Sequence, residues 1–202
     1  MADALLALLT WFSPAFPTGG FAYSGGLEWA VETGAVRDEA SLTAWLEDSL
    51  RLGALWTDAV LLRRAHKGED VAELALALCP GAERRLETTA QGDAFAAAAA
   101  AWGGTAPAPY PVAAGKLAAA QGVGEEETLL AYLHNAVAAQ ISAAVRLIPL
   151  GQTAGLRVQR ALEPAIRATL AQSHALALGG ASWAADIATQ NHETQYTRLF
   201  RT

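Results

Sequence analysis

The chain has 202 residues, of which 52% are hydrophobic and 17% charged, and its formal net charge at pH 7 is -6. This length suits one domain with a large core. The acidic balance excludes the classes of protein that bind nucleic acid or anionic membranes, because both need a basic surface. With so few charged residues, we expect much of the surface to be committed to contacts with another protein.

The cysteine count and the N-terminal residues indicate the compartment. Cys79 is the single cysteine, so an internal disulfide is excluded. A single unpaired thiol is consistent with a reducing compartment. Asp3 stands where a signal peptide would carry basic residues. Two long uncharged stretches, 4–27 and 128–145, are interrupted by prolines and glycines or by polar side chains, so neither predicts a membrane span. We therefore expect a cytoplasmic protein.

Apolar residues recur at helical spacing along most of the chain, and strand-type alternation is absent from the sequence. These patterns predict an all-α, single-domain bundle of about eight to ten helices that spans residues 1–202. From residue 179 onward the helical pattern dissolves, which leaves residues 178–202 as a tail. The predicted helices are 5–12, 27–33, 38–66, 70–79, 83–102, 112–121, 125–148 and 153–178.

Several residues predict how particular helices begin, end or bend. Asp38 is placed to cap a helix start, and Asp70 with Glu73 has the spacing of a capping box. Pro164 is expected to kink or restart the last predicted helix. Asp58 lies beside an apolar stripe, so if it is buried it needs a partner.

A glycine- and proline-rich stretch from Ser13 to Trp29 interrupts the helical pattern near the N-terminus. Glycine permits backbone conformations closed to other residues, and proline fixes its own φ. The stretch also carries Phe16, Phe21 and Tyr23, which a solvated linker would not normally contain. We therefore predict an ordered loop, anchored by aromatic side chains, that leads into a helix.

Four interpretations of this loop compete. A phosphate loop is excluded, because Gly26 and Leu27 stand where it needs Lys and Ser or Thr. A nucleophile elbow around Ser24 would make the protein a serine hydrolase, but no strand precedes it and no His and Asp partners are evident. Two interpretations remain. The loop is either a purely structural lead into the helix that packs against the rest of the chain, or a rigid surface, including Glu28, that contacts a partner.

The histidines give no pattern typical of a metal site. His66, His134, His174 and His192 are scattered, and no two share the spacing that places both on one helical face. His192 begins a zinc-protease motif, but Tyr196 occupies the second histidine position. We therefore expect no intrinsic metal, no cofactor and no catalytic residues.

The C-terminal tail mixes apolar anchors, aromatic rings and arginines in the proportions typical of protein interfaces. A frayed end is the alternative that composition leaves open. The residues that favour an interface are Asp186, Ile187, His192, Glu193, Tyr196, Arg198, Leu199, Phe200 and Arg201.

Four separated motifs resemble the urease accessory protein UreF family. The first is Ser-Pro-x-x-Pro-x-Gly-x-Phe-x-Tyr-Ser-x-Gly-Leu-Glu, at residues 13–28. The others are Tyr-Pro-Val with a following glycine at 110–115, the Pro-x-Gly-Gln turn within 146–153, and the tail at 190–201. The resemblance runs from about residue 9 to the last residue. Pro109 departs from the family pattern, which has a histidine before the Tyr-Pro pair.

The resemblance implies a helical scaffold for urease maturation that is not itself an enzyme. Such proteins bind the accessory protein UreH, also called UreD, and recruit the GTPase UreG for nickel insertion into apo-urease. They act as homodimers within that complex. Nickel and GTP would then be handled by the partners, and this chain would act by favouring particular partner conformations.

The resemblance also assigns expected contact surfaces. The tail and its adjoining helices are expected to contact UreH/UreD and to order on contact. The loop is expected to face UreG, with Arg146 and Gln152 as a second contribution and Arg146 as a candidate GTPase-activating finger. The loop residues so assigned are Pro14, Pro17, Gly19, Gly20, Phe21, Tyr23, Ser24, Gly26 and Glu28. The alternatives that remain are a helical binding module of an unrelated complex and the serine hydrolase.

Overall fold

Helices form because apolar residues recur every three or four positions and bury one face of each segment. The structure, a computed structural model, describes residues 2–175, 177–178 and 181–202. Within these ranges the chain forms ten α-helices and no strand, so the all-α prediction is confirmed. The helices are α1 Ala2–Trp11, α2 Leu27–Glu32, α3 Glu39–Arg51, α4 Ala54–His66, α5 Ala72–Ala77, α6 Ala82–Ala98, α7 Tyr110–Ala120, α8 Glu125–Leu147, α9 Gly151–Gln172 and α10 Trp183–His192.

One hydrophobic core joins the first helix to the tail. Its centre is aromatic: Phe95 of α6 lies 6.4 Å from Phe12 and 5.4 Å from Tyr110 between ring centroids, and Tyr110 lies 5.2 Å from Tyr132. Phe16 of the loop joins this cluster at 5.5 Å from Phe95. Pairs at these separations add to the burial of their apolar surface. The predicted aromatic anchoring of the loop is therefore present through Phe16.

Helix α7 lies at the centre of the bundle against α4 and α6. Most of its side chains are small and buried, so neighbouring backbones approach closely. At Gly115 a Cβ atom would lie 2.5 Å from the carbonyl oxygen of Leu62 in α4. The absence of a side chain at Gly115 therefore sets the distance between α4 and α7.

Three predictions about helix ends and bends have different outcomes. Asp38 caps α3 by accepting a hydrogen bond from the Ser41 amide at 2.9 Å, as expected. The capping box predicted from Asp70 is wrong, because α5 begins one residue later, after Val71, and no side chain caps it. Pro164 was expected to kink or restart the helix; no restart occurs there, whereas a kink stays a prediction. Helix α9 runs through it, since the proline lies on the exposed face and the opposite face is packed in the core.

The tail is more regular than the sequence pattern indicated. Residues Trp183–His192 form α10, and residues 193–202 follow it as a packed, mostly turn-like segment. Residues 179 and 180 lie outside the described residues. The helix was missed because Ala188, Thr189 and His192, its buried residues, do not form a strong apolar stripe. Tertiary contacts, and not periodicity, position this segment.

Helix α8 has the length and composition that could cross a membrane, with 23 residues and a mean hydropathy of 1.2 over its most apolar window. It begins with three glutamates, which suit the positive end of a helix dipole. In this fold it packs against α4, α7 and α9. Its apolar residues, among them Leu129, Leu133 and Val137, lie in the core of the bundle.

We predict that Gly115→Ala destabilises the protein, although alanine normally favours a helix interior by about 1 kcal/mol over glycine. The added Cβ atom would overlap the Leu62 carbonyl, so we expect a loss of about 2 kcal/mol of unfolding free energy, as is typical of overpacking. Urea denaturation measures it. Gly20→Ala is the control, because its Cβ atom meets nothing closer than 3.6 Å. Equal stability of the two variants would contradict the proposed constraint.

Candidate protein-interaction site

The loop turns on glycines that adopt positive φ. Gly19 and Gly26 have φ values of 72° and 81° and precede the short 3-10 helix Gly20–Ala22 and helix α2, respectively. At Gly26 a Cβ atom would lie 2.7 Å from the backbone nitrogen of Thr189 in α10. Glycine is therefore needed at Gly26 both for the turn and for close approach of α10 to the loop.

Ser24 is buried and bonded to the end of the tail. Its hydroxyl donates to the main-chain oxygen of Thr202 at 2.5 Å, and its amide donates to the same oxygen at 2.6 Å. A nucleophile elbow holds its serine oxygen exposed at the top of a sheet. The buried, hydrogen-bonded Ser24 hydroxyl has the opposite geometry, which gives no support to the serine hydrolase.

Glu28 binds the tail through both carboxylate oxygens. Oε1 accepts from the amide of Leu199 at 2.6 Å, and Oε2 accepts from the amide of Phe200 at 2.9 Å. Burial tends to raise the pKa of this carboxyl group, but the Leu199 amide, His192 and the Phe200 amide outweigh it, and the net pKa is lowered. Glu28 thus lies beneath the surface, which corrects the expectation that its side chain is exposed to a partner.

His192 lies fully buried between two carboxylates. Its Nδ1 is 2.7 Å from Oε2 of Glu83 in α6, and its Nε2 is 3.1 Å from Oε2 of Glu28 in α2. Both ring nitrogens can donate only in the imidazolium form. Arg198 completes the group by donating to Oε1 of Glu83 at 3.0 Å. We call His192, Glu28, Glu83 and Arg198 the His192 cluster.

Arg146 ties α8 to the loop and to the tail. Its guanidinium donates to the carbonyl oxygen of Phe21 at 2.9 Å and lies 4.3 Å from the ring centroid of Phe200. The ring of Phe200 is buried in the core, whereas the Arg146 side chain is exposed. The Arg146 guanidinium, which the family resemblance assigned to a contact with the GTPase, therefore already makes a hydrogen bond and a cation–π contact within the chain.

Further hydrogen bonds close the tail onto the body of the protein. Glu193 accepts from the amide of Ala82 at 2.7 Å and so caps the start of α6. Gln195 is buried and donates to Glu32 of α2. No sequence pattern identified Glu83 or Glu32 as a partner of the tail, because acidic residues near helix ends are usually solvated. His192, Glu193 and Arg198 were expected to contact UreH/UreD, and here they contact the protein's own helices.

The exposed residues of the loop and tail form the surface that a partner could contact. Phe21, Tyr196 and Leu199 expose 77%, 102% and 65% of their surface. Tyr23, Ser24, Gly26, Glu28, His192 and Phe200 are buried beneath them. Of the other expected contact residues, Gly19, Gly20 and Asp186 are half-buried, and Pro14, Pro17, Arg146, Gln152, Ile187, Glu193 and Arg198 are exposed.

One group of metal-ligating residue types occurs in the described residues, at the start of α8. Atoms of Glu125, Glu126 and His174 lie within 4.8 Å of one another. The fully buried guanidinium of Arg63 forms ion pairs with both glutamates. Its charge already neutralises them and opposes a second cation there, so we interpret this group as an ion-pair cluster. The absence of an intrinsic metal or cofactor stays a prediction.

Comparison with known proteins decides the family. The UreF family model matches residues 36–163. The urease accessory protein UreF of Cereibacter sphaeroides strain KD131 is 50% identical over 210 residues, with both chains covered completely. UreF of Bradyrhizobium sp. strain BTAi1 is 49% identical over 220 residues, which cover 98% of this chain and 92% of that one. This chain belongs to the UreF family.

The two comparisons cover different parts of the candidate site. The region matched by the family model excludes the loop and the tail. The full-length UreF relatives align across both segments. The resemblance first noted from four motifs is therefore confirmed for the family, whereas the assignment of contact residues within it stays a prediction.

We predict that Glu28→Gln lowers the unfolding free energy by about 2 kcal/mol at pH 7, because hydrogen bonds to a charged group are replaced by weaker ones. The folded-state pKa of Glu28 lies below its usual value of 4.5. Its ionised form therefore stabilises the fold above pH 4.5, and that stabilisation is lost as the pH falls through the folded-state pKa. Denaturation of the variant and the wild type at pH 7 and at acidic pH measures the difference in unfolding free energy at each pH. A difference between variant and wild type that does not shrink on acidification would contradict this account.

We also predict that His192→Gln loosens the tail. Removing the imidazole takes away the hydrogen-bond partner that the buried carboxylates of Glu28 and Glu83 share, at a cost of about 3 kcal/mol. Hydrogen exchange at the amides of Leu199 and Phe200 should become faster. Tyr196→Gln is the matched control, because that side chain is fully exposed. Unchanged exchange in His192→Gln would show that the cluster does not hold the tail.

Proposed function

We propose that this chain is a scaffold for urease maturation that binds UreH/UreD and recruits the GTPase UreG for nickel insertion into apo-urease. Membership of the UreF family carries the proposal, because the relatives are named urease accessory proteins. That description is consistent with a role other than catalysis. The proposal places the protein in the cytoplasm, as a homodimer within the complex, with nickel and GTP handled by its partners.

The packing of the loop against the tail supports this proposal. The amide of Arg201 donates to the carbonyl of Ala22 at 2.8 Å, and Ser24 holds Thr202, so the two segments are joined directly. Phe21 and Leu199 project from these joined segments and are exposed. Exposed aromatic side chains are typical of protein interfaces, and a rigid support reduces the entropy lost on binding.

In this arrangement the two expected partner surfaces are coupled. The His192 cluster and Arg146 connect α2, α6 and α8 to the tail. A partner that displaced the tail would disturb Glu28 and hence the loop. We propose that binding of UreH/UreD at the tail favours the loop conformation that UreG binds, which is a population shift through shared contacts.

For the tail, we expect the double variant Tyr196→Ala and Leu199→Ala to weaken capture of UreH/UreD by at least about tenfold, since truncation of exposed anchors commonly costs more than 1 kcal/mol. These side chains are exposed, so folding should be preserved. Size-exclusion chromatography with light scattering on mixtures with UreH/UreD measures capture. Leu156→Ala is the control, because Leu156 is 71% exposed on α9. Wild-type capture by the double variant would overturn the tail assignment.

For the loop, we expect Phe21→Ala to weaken recruitment of UreG to the complex with UreH/UreD, while capture of UreH/UreD is unchanged. The Phe21 side chain is 77% exposed and only its carbonyl contacts Arg146. The same light-scattering assay, with UreG and GTP added, measures recruitment. Failure of wild-type protein to form any complex with these partners would favour a binding module of an unrelated complex. Unchanged recruitment in Phe21→Ala would overturn the loop assignment alone.

A further inference from the structure

A cavity of about 430 Å³ lies beneath the loop, bounded by α3, α4, α6, α7, α8 and α10. One side is apolar and aromatic, with Phe16, Trp45 and Leu46 among its lining residues. The other side carries polar groups, which include Asp58, Arg84, Glu87, Tyr110 and Tyr132. Cavities that combine apolar walls with a few convergent polar groups are the usual form of small-ligand sites.

Two of these polar groups have atoms without hydrogen-bond partners within the protein. They are Oε2 of Glu87 and the hydroxyl of Tyr110. Both side chains are more than nine-tenths buried. Buried polar atoms are nearly always satisfied, because an unpaired one costs about 1–3 kcal/mol. A polar group that enters the cavity from solution, a water molecule or a ligand, can therefore pair with them.

The neighbouring donors are committed elsewhere. The Nη2 atom of Arg84 donates to both oxygens of Asp58 at 2.7 Å, and the Tyr132 hydroxyl donates to Asp58 at 2.7 Å. Gln91 donates to the other oxygen of Glu87 at 3.1 Å. The Nη1 atom of Arg84 forms an ion pair with Glu87 Oε2 at 3.4 Å, but Oε2 accepts no hydrogen bond at this contact. Glu87 therefore keeps one oxygen available to a new donor.

The charges in the cavity favour a cation. Asp58 and Glu87 both pair with the single positive charge of Arg84, so the group carries one net negative charge when both carboxyl groups are ionised. The rings of Trp45, Tyr110 and Tyr132 line the same cavity and can stabilise a cation through their faces. A divalent metal is disfavoured, since it needs several anionic or imidazole ligands and the positive Arg84 lies nearby.

We propose that this cavity binds a small organic cation with N–H donors, an alkylammonium or alkylguanidinium, which donates to Glu87 Oε2 and to the Tyr110 hydroxyl. The alkyl part lies against the apolar wall that Phe16 and Leu46 form. The polar atoms of this site lie in the interior beneath the loop, while loop residues of the expected UreG-facing surface, Phe21 among them, line the same cavity.

Protonation of Glu87 is linked to occupancy. Burial raises its pKa, and Arg84 only partly offsets this. A bound cation favours the ionised carboxylate, so binding releases a proton wherever the empty site is protonated. The titratable and charged groups that face Glu87 and the cavity from the surrounding helices and turn are Asp58, Cys79, Arg84, Tyr110, Tyr132 and Asp186.

The test is a titration of the full-length ¹⁵N-labelled protein with methylguanidinium, with methylurea as a neutral ligand of the same shape. We expect saturable shifts at the amides of Thr88, Gln91 and Tyr110 with a Kd on the order of 1 mM. Methylurea should bind at least about tenfold more weakly, since it lacks the charge. Equal binding of the two ligands, or no saturation by methylguanidinium below about 10 mM, would overturn the proposal.

Variants separate this site from nonspecific binding. Glu87→Gln retains the size of the side chain and should weaken methylguanidinium binding at least about tenfold, because a charge-assisted hydrogen bond is lost. Tyr110→Phe removes only the unpaired hydroxyl and should weaken binding less. Glu163→Gln is the control, since Glu163 lies on α9 and pairs with Arg160 and Arg167 away from the cavity. Undiminished binding in both cavity variants, or Ni²⁺ shifting the same amides while methylguanidinium shifts none, would overturn the proposal.

Discussion

The two contacts that buried His192 makes with Glu28 and Glu83 are the interaction on which the ends of the chain depend. Charges taken out of water destabilise a protein unless their partners are placed well. Here α2 and α6 supply the two carboxylates, α10 supplies the histidine, and Arg198 pairs with Glu83. The loop, the tail and two helices are therefore fixed by one cluster. If one member is removed, the buried groups that remain lose a partner and destabilise the fold.

This cluster explains why the loop and the tail form a single structure. Oxygens of Glu28 accept the amides of Leu199 and Phe200, and Ser24 binds Thr202. Residues that the sequence indicated as contacts therefore divide into two sets. The buried set holds the two segments together, and the exposed set, with Phe21 and Tyr196, is available to a partner. A surface supported in this way loses little conformational entropy on binding.

The cavity beneath the loop has a different physical basis. The pairing of Asp58 with Arg84 and Tyr132 satisfies the carboxylate that the sequence indicated would need a partner. That pairing occupies the donors that Glu87 and Tyr110 would otherwise share. Stable packing of one buried charge thus leaves other polar atoms open to the cavity. The loop lines this space through buried Phe16 and Tyr23 and through exposed Phe21.

The fold class could be predicted from the sequence, because helix formation depends on local spacing and the α3 cap lies within four residues. The family could also be recognised, because each of its four motifs is a short continuous run of residues. The helix of the tail and the continuity of α9 through Pro164 could not be predicted from the sequence, because tertiary packing overrode the local preference of the residues at both places.

The candidate site divides in the same way. The sequence by itself determined which segments carry unusual residues: the glycine-rich loop and the aromatic tail. Only the tertiary structure decided which of those residues are buried, and it paired His192 with Glu83 across 109 positions of the chain. Contacts at such separation leave no periodic signal, because each depends on how whole helices pack and not on the residues beside it.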